Sequence, residues 1–285
     1  MPELPEVQTI VDDLNRKIKG DTIVDFWSDW KKTIRMPLEE FRKETAGRKI
    51  LGANRIGKNI FLNLSGGRTI YIHLKMTGHL LVKGKKLKAK SCERDYFDDR
   101  VNQYIHHIFY LKSGRTLEFS DLRKFGKIIL ADTGKIGEIS EIKKLGVDAM
   151  SPEFTLEKLD EILDKKKTKI KILIMDQDKI TGIGNIYASE ILFEAGILPD
   201  RPACKIKPEE RKKLYSAIKK TLKKAIKMRG TSDSDYRDTA GVPGKFQEVL
   251  KVYRRTGMRC PKCDTIVQRE KIGQRGTFFC PKCQK

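Results

Sequence analysis

The sequence begins MPELPEV, placing proline second and carboxylates at Glu3 and Glu6. Two readings fit that pattern. Proline at a first helical position needs no N–H, and acids in a first turn suit the helix dipole, so the run is an ordinary helix start. Alternatively, a small second residue is one that methionine aminopeptidase exposes, and the mature chain would then open with a secondary amine flanked by acids. A second reactive cluster lies at the far end, where Cys260-Pro-Lys-Cys263 and Cys280-Pro-Lys-Cys283 form C-x2-C-x16-C-x2-C within the last 26 residues. That spacing suits one tetrahedral zinc held by four thiolates in a two-hairpin ribbon. All four histidines precede residue 108, so thiolates supply the site. Four protein ligands leave no open coordination position, which makes the ion structural.

Two other stretches have the composition of phosphate seats. Between the cysteine pairs runs QREKIGQRGTFF, where a hairpin tip carrying Arg275 beside Gly276 suits a phosphate oxygen, or is a solvated basic turn. Within LIMDQDKITGIGNIYASEILFEAGI, a glycine-containing break precedes Asn185, which stands as an N-cap where exposed amides and the dipole favour an anion.

These groups need a scaffold. Apolar residues at Leu4, Val7, Ile10, Val11, Leu14 and Ile18 predict an amphipathic helix ending near Gly20. From about 22 to 132, short runs such as NIFLNL, TIYIHL and TLEFS, punctuated by turn dipeptides, predict a mainly antiparallel β-sandwich. Residues 134–150 read as a linker, and 155–229 as helices. RGTSDSDYRDTAGVPGK reads as a mobile loop, and FQEVLKVY as a short strand before the cysteine tail.

The 285 residues allow two modest domains. Sixty basic against 38 acidic residues give a net charge of +22, which points to a polyanion, with nucleic acid the first candidate. No signal peptide and no apolar run of membrane-spanning length is evident, so a soluble cytoplasmic protein is expected. Clustered thiols in that compartment are metal ligands rather than a disulfide framework.

PELPEV, HLKMTG at 73–78, DLRKFG at 121–126, GIGNIYASE at 182–190 and QRGTFFC in the tail occur together and in order. In these motifs the chain resembles formamidopyrimidine-DNA glycosylase over essentially its whole length. The resemblance implies an α+β protein: an N-terminal helix with an antiparallel β-sandwich (1–133), a linker (134–150), a helix-two-turn-helix DNA-binding domain (151–247) including a lesion-covering loop at 229–246, and a four-cysteine zinc ribbon (248–285). It implies excision of oxidised purines followed by strand cleavage, with duplex DNA bearing oxidised bases or abasic sites as partner and a monomer associated with the nucleoid.

On this resemblance the nucleophile is the α-amine of Pro2 after removal of Met1. An α-amine has a pKa of about 7.7–8.0, so roughly a tenth is neutral at pH 7. Glu3 matches the acid/base residue, Glu6 the acid orienting nucleophile and sugar, and Lys58 a basic residue reaching the damaged nucleotide. Met76, Arg123 and Phe125 match the residues that fill the void left by the extruded base, although composition alone would put Met76 and Phe125 in a core. His106, Lys171, Asn185 and Arg275 match phosphate contacts. In the lesion loop Tyr236 and Gly244 fit the family pattern, whereas Lys245 and Ser232-Asp233 depart from it. Two alternatives remain: an endonuclease VIII-like glycosylase for oxidised pyrimidines, against which Leu4 argues, and a non-catalytic zinc-ribbon DNA-binding protein.

Overall fold

The three-four spacing of apolar residues produces α1 (Leu4–Lys17), whose Leu4, Val7, Ile10, Val11 and Leu14 are buried. The computed structural model describes residues 1–84, 96–233 and 235–285, leaving Cys92 and Ser234 outside the described residues. The chain divides into two compact units, Met1–Lys143 with Met228–Gln247, and Lys144–Lys227 with Glu248–Lys285.

In the first unit, β1 (Ile23–Ser28), α2 (Leu38–Thr45), β2 (Ile50–Ile56), β3 (Asn59–Leu64), β4 (Arg68–His73), β5 (His79–Lys83), β6 (Ile105–Leu111), β7 (Thr116–Ser120) and β8 (Lys127–Asp132) follow α1. They form two four-stranded antiparallel sheets, ordered β1-β6-β7-β5 and β2-β3-β4-β8. Alternate residues of both sheets share one core. Phe26, Phe109, Leu117 and Phe119 come from one sheet, Ile60, Leu62, Ile70 and Ile128 from the other, and Val7, Ile10 and Leu14 from α1. Phe26 lies 4.7 Å from Phe41 and 4.6 Å from Phe109 between ring centroids. Such pairs add about 0.5–1.5 kcal/mol beyond burial. The helix and sandwich expected from periodicity are therefore present, and their turns carry the candidate residues: Lys58 between β2 and β3, Met76 between β4 and β5, and Arg123 and Phe125 between β7 and β8.

Polar partners change three local readings. The boundary between the two units falls at 143/144, inside the expected linker 134–150, yet that stretch carries regular elements. A 3-10 turn (Thr133–Glu138), α3 (Ser140–Lys143) and β9 (Val147–Asp148) occupy the stretch, because Glu141 is held by Lys127 at 2.5 Å and by Arg35 at 2.6 Å. The 229–246 loop, expected with the helical domain, belongs to the first unit, and Tyr236 enters its core. FQEVLKVY begins with a 3-10 turn (Phe246–Val249) instead of a strand. The amides of Lys251, Val252 and Tyr253 that a strand would pair all donate at 2.9 Å to the buried Glu190 carboxylate. Burial raises that carboxyl's pKa against the three bonds.

The second unit continues with α4 (Leu156–Leu163), α5 (Ile170–Met175), β10 (Ile180–Thr181), α6 (Asn185–Ala195) and α7 (Pro208–Lys227), and β10 pairs in parallel with β9. Thr155 caps α4 by accepting the Lys158 N–H at 3.2 Å. The ribbon has one regular hairpin, β11 (Gln268–Ile272) with β12 (Arg275–Phe279). Around the first cysteine pair, Arg259 and Ile266 form an isolated bridge, so only one of the two expected hairpins is a strand pair.

Burial drives the imidazole of His73 down to about 3, helped by Lys75, Lys58 and Lys127, and burial likewise drives His79 and His107 down to about 4. These rings are neutral in the folded chain, whereas unfolded histidine titrates near 6.5. Between those values the unfolded chain takes up protons that the folded chain refuses. Stability is thus complete above about pH 6.5 and falls by roughly 1 kcal/mol per histidine per pH unit below it, flattening near the folded values. Urea midpoints measured from pH 7.5 to 4.5 should show this decline; a constant midpoint would contradict neutral buried rings.

Candidate functional site

Pro2 is buried but stands outside the helix, one residue before the N-cap Glu3. The reading of Pro2 as a first helical residue is therefore displaced, since Pro5 occupies the first turn. A reciprocal capping box starts α1, in which the Glu3 carboxylate accepts an amide of the first turn and Glu6 Oε2 accepts the Glu3 N–H at 2.7 Å. Glu3 and Glu6 are only 3% and 1% exposed. The second oxygen of Glu6 accepts the Thr231 N–H at 2.7 Å, bringing the late loop to the first turn. Gly230 permits this approach, because its φ is +80° and a Cβ would lie 2.6 Å from Glu6 Oε1. Gly244 is equally constrained, as a Cβ there would collide with the Gly230 carbonyl oxygen. The Tyr236 hydroxyl donates to the Glu6 carbonyl at 3.4 Å. Burial, with the Glu6 charge adding to it, lifts the phenol well above its ordinary pKa. Lys58 is buried in the β2–β3 turn.

The wedge candidates sit on two loops tied by one carboxylate. Asp121 Oδ1 accepts the Thr77 hydroxyl at 2.5 Å and the Arg123 N–H at 3.3 Å, while Oδ2 accepts the Gly126 N–H at 2.8 Å. Met76 is 41% and Phe125 52% exposed, so neither is a core residue. The Arg123 guanidinium lies 4.7 Å from the Phe125 ring centroid. His106 is oriented by Asp29 at 2.9 Å through Nδ1, and its buried Nε2 has no partner among the described residues.

In the second unit Asn185 is the first residue of α6 and not its cap, which is Gly184. Its amide donates to the Gly276 carbonyl at 3.0 Å. Lys171 is 1% exposed, and its ammonium donates to Thr277 Oγ1 at 2.9 Å and to the same Gly276 carbonyl at 3.2 Å. Both residues, expected as phosphate contacts, therefore hold the start of β12, and Arg275 beside them is exposed. Gln177 fixes the turn before α6 by donating to the Ile183 carbonyl at 2.8 Å and accepting the Gly182 N–H at 3.0 Å. The sulfurs of Cys260, Cys263, Cys280 and Cys283 all lie within 4.8 Å of one another, with 260–283 at 3.8 Å and 263–280 at 3.5 Å. A tetrahedron of Zn–S bonds of about 2.3 Å requires sulfurs roughly 3.8 Å apart. The four thiolates fit one structural zinc.

Sequence reasoning missed Thr77, Asp121, Gln177 and Glu190 as organising groups. Thr77, Asp121 and Glu190 lay inside or at the ends of recognised motifs, yet only the fold reveals what each one binds.

The sequence matches three family profiles: the formamidopyrimidine-DNA glycosylase N-terminal domain over residues 1–128, the formamidopyrimidine-DNA glycosylase H2TH domain over 145–237, and the zinc finger found in FPG and IleRS over 257–285. It is 40% identical to the formamidopyrimidine-DNA glycosylase of Pelotomaculum thermopropionicum, covering 100% of this chain and 99% of the relative. It is 39% identical to that of Carboxydothermus hydrogenoformans, covering 100% of both. Among solved structures, Lactococcus lactis Fpg in complex with DNA containing an abasic site superposes with a TM-score of 0.86 at 30% identity, covering 99% of each chain. The same enzyme with DNA containing FAPY-dG gives 0.85 at 30% identity, covering 99% of this chain and 100% of that one.

Two outcomes follow from the geometry. Each Glu6 oxygen receives one N–H, so in Glu6→Gln one donor must face an NH2 group whichever way the amide turns. Stability should fall by about 1–3 kcal/mol in urea unfolding, and an unchanged midpoint would contradict the double acceptance. Stripping zinc with a thiol-competitive chelator, or introducing Cys260→Ser, should release one metal ion per chain and expose amides of 257–285 to hydrogen exchange. Unaltered exchange in a metal-free preparation would contradict a structural ion.

Proposed function

Since this chain belongs to the formamidopyrimidine-DNA glycosylase family and is a DNA glycosylase of repair that excises oxidised purines, we propose that it works through Pro2 as nucleophile and then cleaves the strand as a lyase. The observation that carries the reading is the pair of buried acids, Glu3 and Glu6, fixed by a reciprocal capping box in which the Glu3 N–H donates to the Glu6 carboxylate at 2.7 Å, immediately after a buried Pro2. With Met1 removed, the Pro2 nitrogen becomes a secondary amine at that position. Its lone pair attacks C1′ of the damaged nucleotide, and the glycosidic electrons leave with the base. Ring opening of the sugar then gives an iminium ion. A secondary amine forms an iminium that is positively charged without protonation, so it draws electrons from C2′ and drives β- and then δ-elimination. Glu3 supplies and removes protons at the sugar, Glu6 fixes the amine's setting, and Lys58 addresses the damaged nucleotide.

The exposed trio Met76, Arg123 and Phe125 has the chemistry of a void filler. Apolar groups unstack neighbouring bases, and a guanidinium can hydrogen-bond an orphaned base edge. Arg275 and His106 supply backbone contacts, and the +22 charge favours duplex binding. The buried Lys171 holds the hairpin that bears Arg275, and Asn185, half-buried at the start of α6, both braces that hairpin and stands as a further phosphate contact. Among the described residues no helix is long and apolar enough to cross a membrane, and we place the enzyme's work on chromosomal DNA in the cytoplasm.

Borohydride trapping on DNA carrying an abasic site tests the nucleophile. Pro2→Gly should trap at least about tenfold more slowly, because the imine of a primary amine must be protonated to serve as a sink, and a chain retaining Met1 should trap none. Undiminished trapping in both would assign the chemistry to a lysine instead. Glu3→Gln should abolish excision while leaving measurable cleavage at a preformed abasic site.

A further inference from the structure

A left-handed backbone disfavours every residue with a Cβ, yet Arg229 adopts a φ of 63° at the entrance to the 229–246 loop. Its guanidinium shows what holds it there. Nη2 lies 2.6 Å from Asp13 Oδ2 and Nη1 3.3 Å from Asp13 Oδ1, while Nε and Nη2 lie 2.9 and 2.6 Å from Asp238 Oδ2. Both carboxylates are almost wholly buried. Burial alone would raise the Asp13 carboxyl; hydrogen bonds from Arg229 and Thr239 outweigh it and hold the group below its ordinary pKa.

The two partners belong to different parts of the first unit. Asp13 stands on α1 seven residues beyond Glu6, about two turns along the same face. Asp238 stands midway along the loop, where its Oδ1 accepts the Ala240 and Val242 amides at 2.8 and 3.0 Å. Thr239 adds two links, donating to Asp13 Oδ2 at 2.8 Å and accepting from Lys17 Nζ at 2.7 Å. One guanidinium thus gathers both ends of 230–237 onto the helix that begins with the catalytic acids, and Thr231 within that span is the residue bonded to Glu6.

We propose that Arg229 is a positioning residue for base excision: bridged between Asp13 and Asp238, it sets the loop over the extruded base and so favours base-bearing lesions over abasic sites. This rests on the reading of 229–246 as the lesion-covering loop. An abasic site offers nothing to cover, so its cleavage needs the amine and the acids but not the latch. A bridge that merely stabilised the unit would affect both reactions alike.

The test uses the double variant Arg229→Gly/Asp13→Asn in the full-length, zinc-loaded enzyme. Glycine accepts the left-handed backbone without strain, asparagine removes the Asp13 charge while still accepting from Thr239, and Asp238 keeps the Ala240 and Val242 amides on Oδ1; urea unfolding of the variant checks that the unit stays folded. Single-turnover excision of 8-oxoguanine from duplex should slow by about tenfold, with cleavage of a preformed abasic site within about twofold of the parent. Arg229→Lys, which keeps the charge but not the fork, should fall between. Unchanged excision, or equal losses in the two reactions, would overturn the latch. Hydrogen exchange on the parent enzyme examines the underlying reading separately. Amides of 231–242 should be more protected by an uncleavable lesion duplex than by one carrying an abasic analogue. Equal protection would mean that the loop does not cover the base, and the latch proposal would fall with it.

Discussion

Much of this structure hangs on the carboxylate of Glu6. It has two oxygens, and each is committed: one to the Glu3 amide at the start of the same helix, the other to the Thr231 amide 225 residues later in the chain. Hydrogen bonds to a charged group contribute about 1.5–3 kcal/mol each, and a buried donor left unmade costs a similar amount. A side chain as short as glutamate permits no slack between the two donors. The first turn of α1, the position of Pro2 and the entrance to the 228–247 segment are consequently set together. This is why a late segment folds into the first unit, and why Gly230 and Gly244 must lack a Cβ.

The same device recurs in loops of both units. Asp121 knots the loops that carry Met76, Arg123 and Phe125, Gln177 knots the turn ahead of α6, and Glu190 collects three successive amides. In each case a buried carboxylate, or the half-buried Gln177 amide, satisfies backbone donors that no strand or helix uses. Large apolar side chains can then stand in solvent on a rigid support. That is what an enzyme needs if it inserts side chains into a duplex: the ordering is done before DNA arrives.

The second unit applies this logic to the zinc ribbon. The ion fixes the cysteine pairs, but the hairpin's register against the helices comes from Lys171 and Asn185, which share the Gly276 carbonyl. Burying an ammonium is costly, and the chain has many lysines that stay on the surface. The use of this one is geometric, since it ties the strand bearing Arg275 to α5 and α6 while leaving the guanidinium exposed.

Short-range patterns were legible in the sequence because their causes are short-range. Three-four spacing produced α1, short β-type runs between turn dipeptides produced the sandwich strands, and the C-x2-C pairs defined a tetrahedral site, since chelate spacing is a property of the local chain. The motif order pointed to the family and to Pro2, Glu3 and Glu6. Tertiary structure alone decided which polar group answers which. The 134–150 stretch is ordered because Lys127 and Arg35 meet Glu141, FQEVLKVY is no strand because Glu190 takes its amides, Lys171 turns inward to Gly276, and the 229–246 loop follows Glu6 and Asp13 into the first unit. A carboxylate in a sequence shows that a strong acceptor exists; only the folded chain, by excluding water and closing separations of tens to hundreds of residues, determines which donors it must satisfy.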